Sequence, residues 1–217
     1  DRGTQYTSTY GQISEYPELM DINCGSAGSN GGPGGNANGD WMHINAISYN
    51  ADLDQIVLSS RHQDEIYIID HSTTTEEAAS HTGGIYGKGG DFLYRWGNPQ
   101  NYDRGNNSDH WLGDQHSINW INNGSPGEGN LICYVNQYST YSAVLEFVPP
   151  LQENGTYYIE DGEPYGPDSY EWIKQATNSF NFSTQMQGGA FRLPNGNTLI
   201  TDCDSSIIYE ITSNGTI

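Results

Sequence analysis

Residues 43–70, HINAISYNADLDQIVLSSRHQDEIYIID, hold three short apolar runs separated by polar turns. HINAISY (43–49) is followed by the turn NADLD, QIVLSSR (55–61) by the polar HQD, and EIYIID (65–70) closes the stretch. Runs of this length, rich in Ile, Val and Tyr and bounded by Asn and Asp, read as strands, and apolar and polar residues alternate most cleanly in the third. The same plan returns twice. Over 116–148 it runs HSINWI, the turn NNGSPGEG, NLICYVN and AVLEFV; over 189–212 it runs GAFRL, PNG, NTLITDC and IIYEIT.

Working outward, a fourth aromatic run follows two of the units, FLYRWG (92–97) and YEWIK (170–174), while the third unit reaches Ile217 without one. Strand, turn, strand, loop, strand and outer aromatic strand is the plan of a β-propeller blade. The expected fold class is therefore all-β, with about three four-stranded blades near 43–97, 116–174 and 189–217, the last clipped. A β-sandwich, the bland alternative, does not predict three matched units. Three blades do not close a ring, because each buries its faces against its neighbours, so further chain or other subunits are expected to supply the rest. Residues 1–39 form an N-terminal segment ending in the Gly/Asn-rich stretch GSAGSNGGPGGNANG (25–39), which reads as a flexible loop, and 40–217 form the blades.

Composition agrees with a single turn-rich domain: 217 residues, 34% hydrophobic, with 27 Gly and 9 Pro. Twenty-seven acidic residues against seven basic ones give a net charge of -20, which repels phosphate backbones and anionic lipid, so neither nucleic acid nor a membrane surface is an expected partner. Sixteen Tyr, five Trp and five Phe supply the apolar surface that a disordered chain lacks. Cys24, Cys133 and Cys203 match no zinc or redox spacing and allow at most one disulfide. Sequons at Asn106, Asn123, Asn154, Asn181 and Asn214 are glycosylation candidates. The sequence starts at Asp1 with no apolar signal segment and no membrane-length apolar run, and reads as a processed or truncated product of the extracellular space or periplasm.

In a blade, the start of the first strand and the end of the second lie at the same rim. The first unit puts His43 and Arg61 there, and the second puts His116 and Asn136. Histidine can act as base or nucleophile, and arginine offers a rigid donor fork for a sulfate-like anion, which in so acidic a chain needs local cations. The competing reading is that each histidine hydrogen-bonds backbone at a blade end. The third unit has Gly188 and Gly189 at the rim, and all six histidines, at 43, 62, 71, 81, 110 and 116, precede it.

DWMHINAISYN (40–50), QIVLSSRHQDEIYIIDHSTT (55–74), GGDFLYRWGNPQ (89–100), QHSINWI (115–121) and RLPNGNTLI (192–200) resemble the bacterial arylsulfotransferase family, from about residue 40 to the C-terminus. The resemblance implies a six-bladed propeller that moves a sulfuryl group from a phenolic sulfate ester to another phenol through a transiently sulfated histidine, with no nucleotide donor. It matches His43 and His116 to two histidines of the family's channel site, which hold the sulfate and assist proton transfer. Arg61 lies in a matching motif, and its substrate-binding role is inferred. Where the family carries a sulfate-binding arginine, this chain reads YVNQYSTYS (134–142), with the arginine gone and Asn136 kept as a second substrate-binding candidate beside Arg61. With no histidine in the later unit to carry the sulfuryl group, two functions stand side by side. One is an arylsulfotransferase acting on a small aromatic sulfate ester and a phenol. The other is a catalytically silent, extracellular structural or binding protein that self-associates through its blades, glycosylated and filamentous.

Other signals are set aside. GGIYGKGGD (83–91) lacks the Ser or Thr and the Gly spacing of a phosphate loop. The carboxylates Asp52/Asp54, Asp161/Glu163 and Asp202/Asp204 are the only calcium signal, in a lectin-like reading, and none has the twelve-residue loop pattern, so solvated turns are the preferred reading and no cofactor is expected. Trp96, Trp120 and Trp172 suit packing better than a sugar platform. His62, His71, His81 and His110 show no metal-ligand spacing and receive no role; no metal site is expected.

Overall fold

Among residues 11–22, 24 and 39–217, which the computed structural model describes, eleven strands account for nearly all the regular structure. All but the last residue of the Gly/Asn stretch lies outside the described residues. Strands β1 (Ile44–Asn50), β2 (Gln55–Ser60), β3 (Glu65–Asp70) and β4 (Tyr94–Trp96) form one antiparallel sheet in sequence order. β5 (His116–Trp120), β6 (Leu131–Tyr138), β7 (Tyr141–Phe147) and β8 (Trp172–Gln175) form a second, and β9 (Gly189–Arg192), β10 (Thr198–Asp202) and β11 (Ile207–Ile211) a third with three strands. The fold is all-β; the one α-helical turn among the described residues, Thr75–Ala78, is closed by a Thr74–Glu77 capping box.

The strands begin and end within a residue or two of the apolar runs, and the departures have local causes. β4 is shorter than FLYRWG because the Phe92 N–H donates to Glu18 O of the N-terminal segment, and Gly97, at φ 130°, turns the chain away after Trp96. β6 runs two residues past NLICYVN because Tyr138 pairs with Tyr141 across a tight turn in which Ser139 takes φ 61°.

Successive sheets meet through their first strands: β5 packs on β1 and β2, and β9 on β5 and β6. Between the first two sheets lies a core of Val57, Ile66, Ile68, Trp96, Leu145 and Phe147, in which the Trp96 and Phe147 rings stack at 4.0 Å. Between the second and third, Tyr134, Val144, Phe182, Ile200 and Ile211 are buried. Arg192 ties these two sheets by donating to Glu146 at 2.7 Å while lying over the Trp172 ring. Tryptophans 96 and 120 are core residues, and the half-buried Trp172 is a platform for arginine.

The N-terminal segment is fastened to the first sheet by a fully buried ion pair. Arg95 donates from Nε to Glu65 Oε1 at 2.8 Å and from Nη2 to Glu65 Oε2 at 2.5 Å, and its Nη1 reaches Leu19 O at 3.0 Å. Asn101 and Tyr67 also donate to Glu65, and the guanidinium sits over Tyr102, so the buried charges are satisfied. Burial alone would lower the Arg95 pKa, but the Glu65 charge and hydrogen bonds outweigh it and hold it raised.

No disulfide joins the three cysteines. At the far end, β11 pairs only with β10 among the described residues, and Ile207 and Ile208 on it are exposed. No helix among the described residues is long and apolar enough to cross a membrane.

Candidate functional site

Two bulges shape the site. The register between β1 and β2 shifts between Ile44 and Ala46, and that between β5 and β6 shifts between His116 and Asn119. His43, at φ 51°, and Ser117, at φ 59°, take the left-handed conformation next to them. A bulge inserts a residue and turns the side chains at the strand end. Non-glycine residues in this conformation carry strain that the surrounding structure must hold. For His43 the holding is done by backbone: Arg61 N–H donates to His43 O at 3.1 Å and His62 N–H to Met42 O at 3.3 Å. Ser60 Oγ adds a bond to Met42 O at 2.7 Å, and Gln63 Nε2 one to Trp41 O at 3.0 Å.

The structure puts His43, just before β1, beside Arg61, just after β2, where the Arg61 N–H donates to His43 O. His43 Nδ1 pairs with the Asp40 carboxylate, and its ring lies 4.7 Å from that of His62. Arg61 Nη2 donates to Asp114 Oδ2 at 2.8 Å and Nη1 to His62 Nε2 at 3.0 Å, while its buried Nε makes no hydrogen bond. His43 is a little over a third exposed and Arg61 a fifth, so both face solvent at the rim.

His116 and Asn136 are in direct contact. His116 Nδ1 lies 2.8 Å from Asn136 Oδ1 and 3.0 Å from Asp114 O, two acceptors, which places the proton on Nδ1. Nε2 is left with a lone pair, which accepts the Gln187 N–H at a long 3.3 Å. Asn136 Nδ2 in turn donates to Thr184 O at 3.0 Å and Gln187 O at 2.7 Å. Burial lowers the His116 pKa; the bonds to Asn136 and Asp114 raise it, and the nearby charges of Arg61 and His43 lower it, with a net fall that keeps the ring neutral at pH 7. Arg61 reaches across to Asp114, two residues before His116, so the two sheets bring His43, Arg61 and His116 into one neighbourhood. Beside it runs a groove of about 670 Å³ lined by Arg61, Asp114, Asn136, Gln137, Tyr141 and Thr184, among others.

The third sheet offers no counterpart. A side chain at Gly188, which has φ 105°, would meet the Tyr134 ring at 2.7 Å, so the rim position is filled from β6.

A family model of the arylsulfotransferases (ASST) matches residues 9–144. The chain belongs to the arylsulfotransferase family. The match takes in the N-terminal segment, which the motifs from residue 40 onward did not reach, and all four candidate residues of the rim; the third sheet lies outside it. No curated protein matches the chain.

Within this chain of the arylsulfotransferase family, sequence reasoning missed the carboxylates that fix the site. Asp40 stands three residues before His43 and Asp114 two before His116, a recurrence visible in DWMH and DQH. It also missed Gln187, which acts through its backbone and leaves no residue-type signal. The turn carboxylates considered for calcium mostly have protein partners: Asp52 accepts from Asn123, Asp54 from Tyr49, Asp202 from Ser205 N–H and Asp204 from Gln185 N–H. The five sequon asparagines are exposed, and Asn106, Asn154, Asn181 and Asn214 each accept a backbone N–H two residues on.

Proposed function

We propose that this chain is a secreted or periplasmic arylsulfotransferase-type protein whose three sheets are propeller blades, and that it binds a phenolic sulfate ester at the rim shared by His43, Arg61 and His116. The supporting observation is the clustering of those three side chains at twin strand-end bulges within the region matched by the family. Arg61 supplies a donor fork for the sulfate oxygens, and its Nε has no protein partner to give up. The acceptor phenol attacks sulfur, the sulfur–oxygen bond to the donor phenol breaks, and the acceptor's proton passes to a neutral imidazole and on to the departing phenolate. His116 is that base once its long bond from Gln187 opens. The third sheet, with glycine at the rim, has no part in bond making.

The experiment is sulfuryl transfer from 4-nitrophenyl sulfate to phenol. Nitrophenol release that depends on phenol is expected, and His43→Ala, Arg61→Ala and His116→Ala should each lower the rate by about 10²-fold or more. No release by the folded wild-type chain sinks the reading.

A second reading is favoured by two observations. Arg61 and His116 already have protein partners in Asp114 and Gln187, and apolar side chains are exposed on the first and third sheets, Ile44, Ile47 and Tyr49 on β1 and Ile207 and Ile208 on β11. In that reading the chain is a silent, self-associating extracellular binding protein. Light scattering decides it: a monodisperse monomer across concentration removes it.

A further inference from the structure

Asp40, His43 and His62 each present one metal-binding atom, and these three atoms lie within 4.8 Å of one another. We propose that this trio is a divalent transition-metal site, suited above all to zinc. Two imidazoles and a carboxylate are the three protein ligands of open zinc sites, with bonds of about 2.0–2.2 Å and a fourth position left to water or another ligand. Such bonds set the donor atoms about 3.4 Å apart in a tetrahedron. Here the Asp40–His43 pair is tighter than that and opens, and no separation in the trio, being within 4.8 Å, has more than about 1.4 Å to close.

The scaffold favours the site over a chance meeting of side chains. The loop carrying Asp40 and His43 is tied to the turn carrying His62 by the backbone bonds from Arg61 to His43 and from His62 to Met42, and by the side chains of Ser60 and Gln63 on Met42 and Trp41. None of these bonds uses a proposed ligand atom, so the three side chains stay gathered when the hydrogen bonds among them are exchanged for an ion. His62 is gripped at both nitrogens, Nδ1 on Asp40 O at 2.8 Å and Nε2 on Arg61 Nη1 at 3.0 Å. The proton lies on Nδ1, which faces a carbonyl, so the Arg61 contact at Nε2 gives way to the ion and the Nδ1 bond to Asp40 O becomes the outer bond that orients a metal-bound imidazole. Displaced from His62, Arg61 keeps its bond to Asp114. Partial exposure of Asp40 and His43 gives the ion a way in, and the net charge of -20 draws cations to the surface. The sequence hides the site because the ligands, at 40, 43 and 62, follow no metal-ligand spacing.

The site does not depend on sulfuryl transfer, so its test runs without substrate. Wild-type chain is titrated with zinc by calorimetry and with cobalt(II) by visible absorption, which reports a low-symmetry site with nitrogen and oxygen ligands. One saturable equivalent is expected. Asp40→Asn and His62→Gln should each weaken it by about tenfold or more, whereas His71→Gln, at the separate Asp54 pair, should leave it unchanged. Lack of saturable binding to the folded wild-type chain overturns the site, and so does binding that both variants retain at wild-type strength. Circular dichroism establishes that each variant is folded, and if Asp40→Asn is not, His62→Gln decides.

Discussion

Asn136 is the residue on which the rim turns, because one side chain accepts from His116 and donates to two carbonyls of the 184–187 loop. Replacing it with alanine leaves buried polar groups without partners, a loss of about 2–3 kcal/mol measurable by denaturant unfolding. The same substitution removes an interaction that raises the His116 pKa, so the His116 titration followed by NMR should shift lower still in Asn136→Ala. An unchanged midpoint would show that the amide does not fix the tautomer. The sign of the linkage follows from the direction of the shift. His116 titrates in the folded chain below its unfolded value of about 6.5, so its neutral form contributes stability that is lost as pH falls from there toward the folded value. His110 works the other way: its hydrogen bond to Asp64 raises its pKa, and its contribution is present below about 6.5 and fades as pH rises through the folded value.

At the scale of elements, the strands were legible because each carries its own apolar run between turn residues, and the repeat of 43–70 at 116–148 and 189–212 marked the sheets before any contact was known. What pins the elements was not legible. Glu65 and Arg95 look like ordinary polar residues on two strands thirty positions apart, and only the pairing of β3 with β4 and the arrival of residues 17–19 bury them together. Arg95→Ala strands a buried carboxylate, and should cost about 3–5 kcal/mol in unfolding free energy. Gly188 is similar: its neighbour Tyr134 belongs to another sheet, so the sequence shows a glycine and hides the ring above it. Gly188→Ala combines a clash with a strained φ and should destabilise by about 1–3 kcal/mol, read as a drop in Tm. A histidine at this rim position would therefore demand a smaller residue at 134 as well, so the third sheet differs from the first two by coupled changes.

For the whole molecule, charge dominates. Of seven cations among 27 carboxylates, Arg61, Arg95 and Arg192 are held in ion pairs, and the large excess of acids repel one another across the surface. Salt screens that repulsion over about 10 Å at 0.1 M, so Tm should climb as sodium chloride is raised from a few millimolar into the physiological range. A Tm that falls with salt would mean that the surface ion pairs outweigh the repulsion.

Much of the fastening of the N-terminal segment is written in main-chain atoms, beside the packing of Ile13 on the core and the burial of Pro17. Arg95 reads the carbonyl of Leu19, Phe92 that of Glu18, and Arg104 that of Ser14. A clasp of this kind ignores the identity of the residues it holds. Ser14, Glu18 and Leu19 can therefore drift in sequence while the docking persists, whereas Pro17, which is buried, cannot, and a synthetic peptide of residues 11–22 should re-dock onto a chain lacking residues 1–24 and restore its melting temperature.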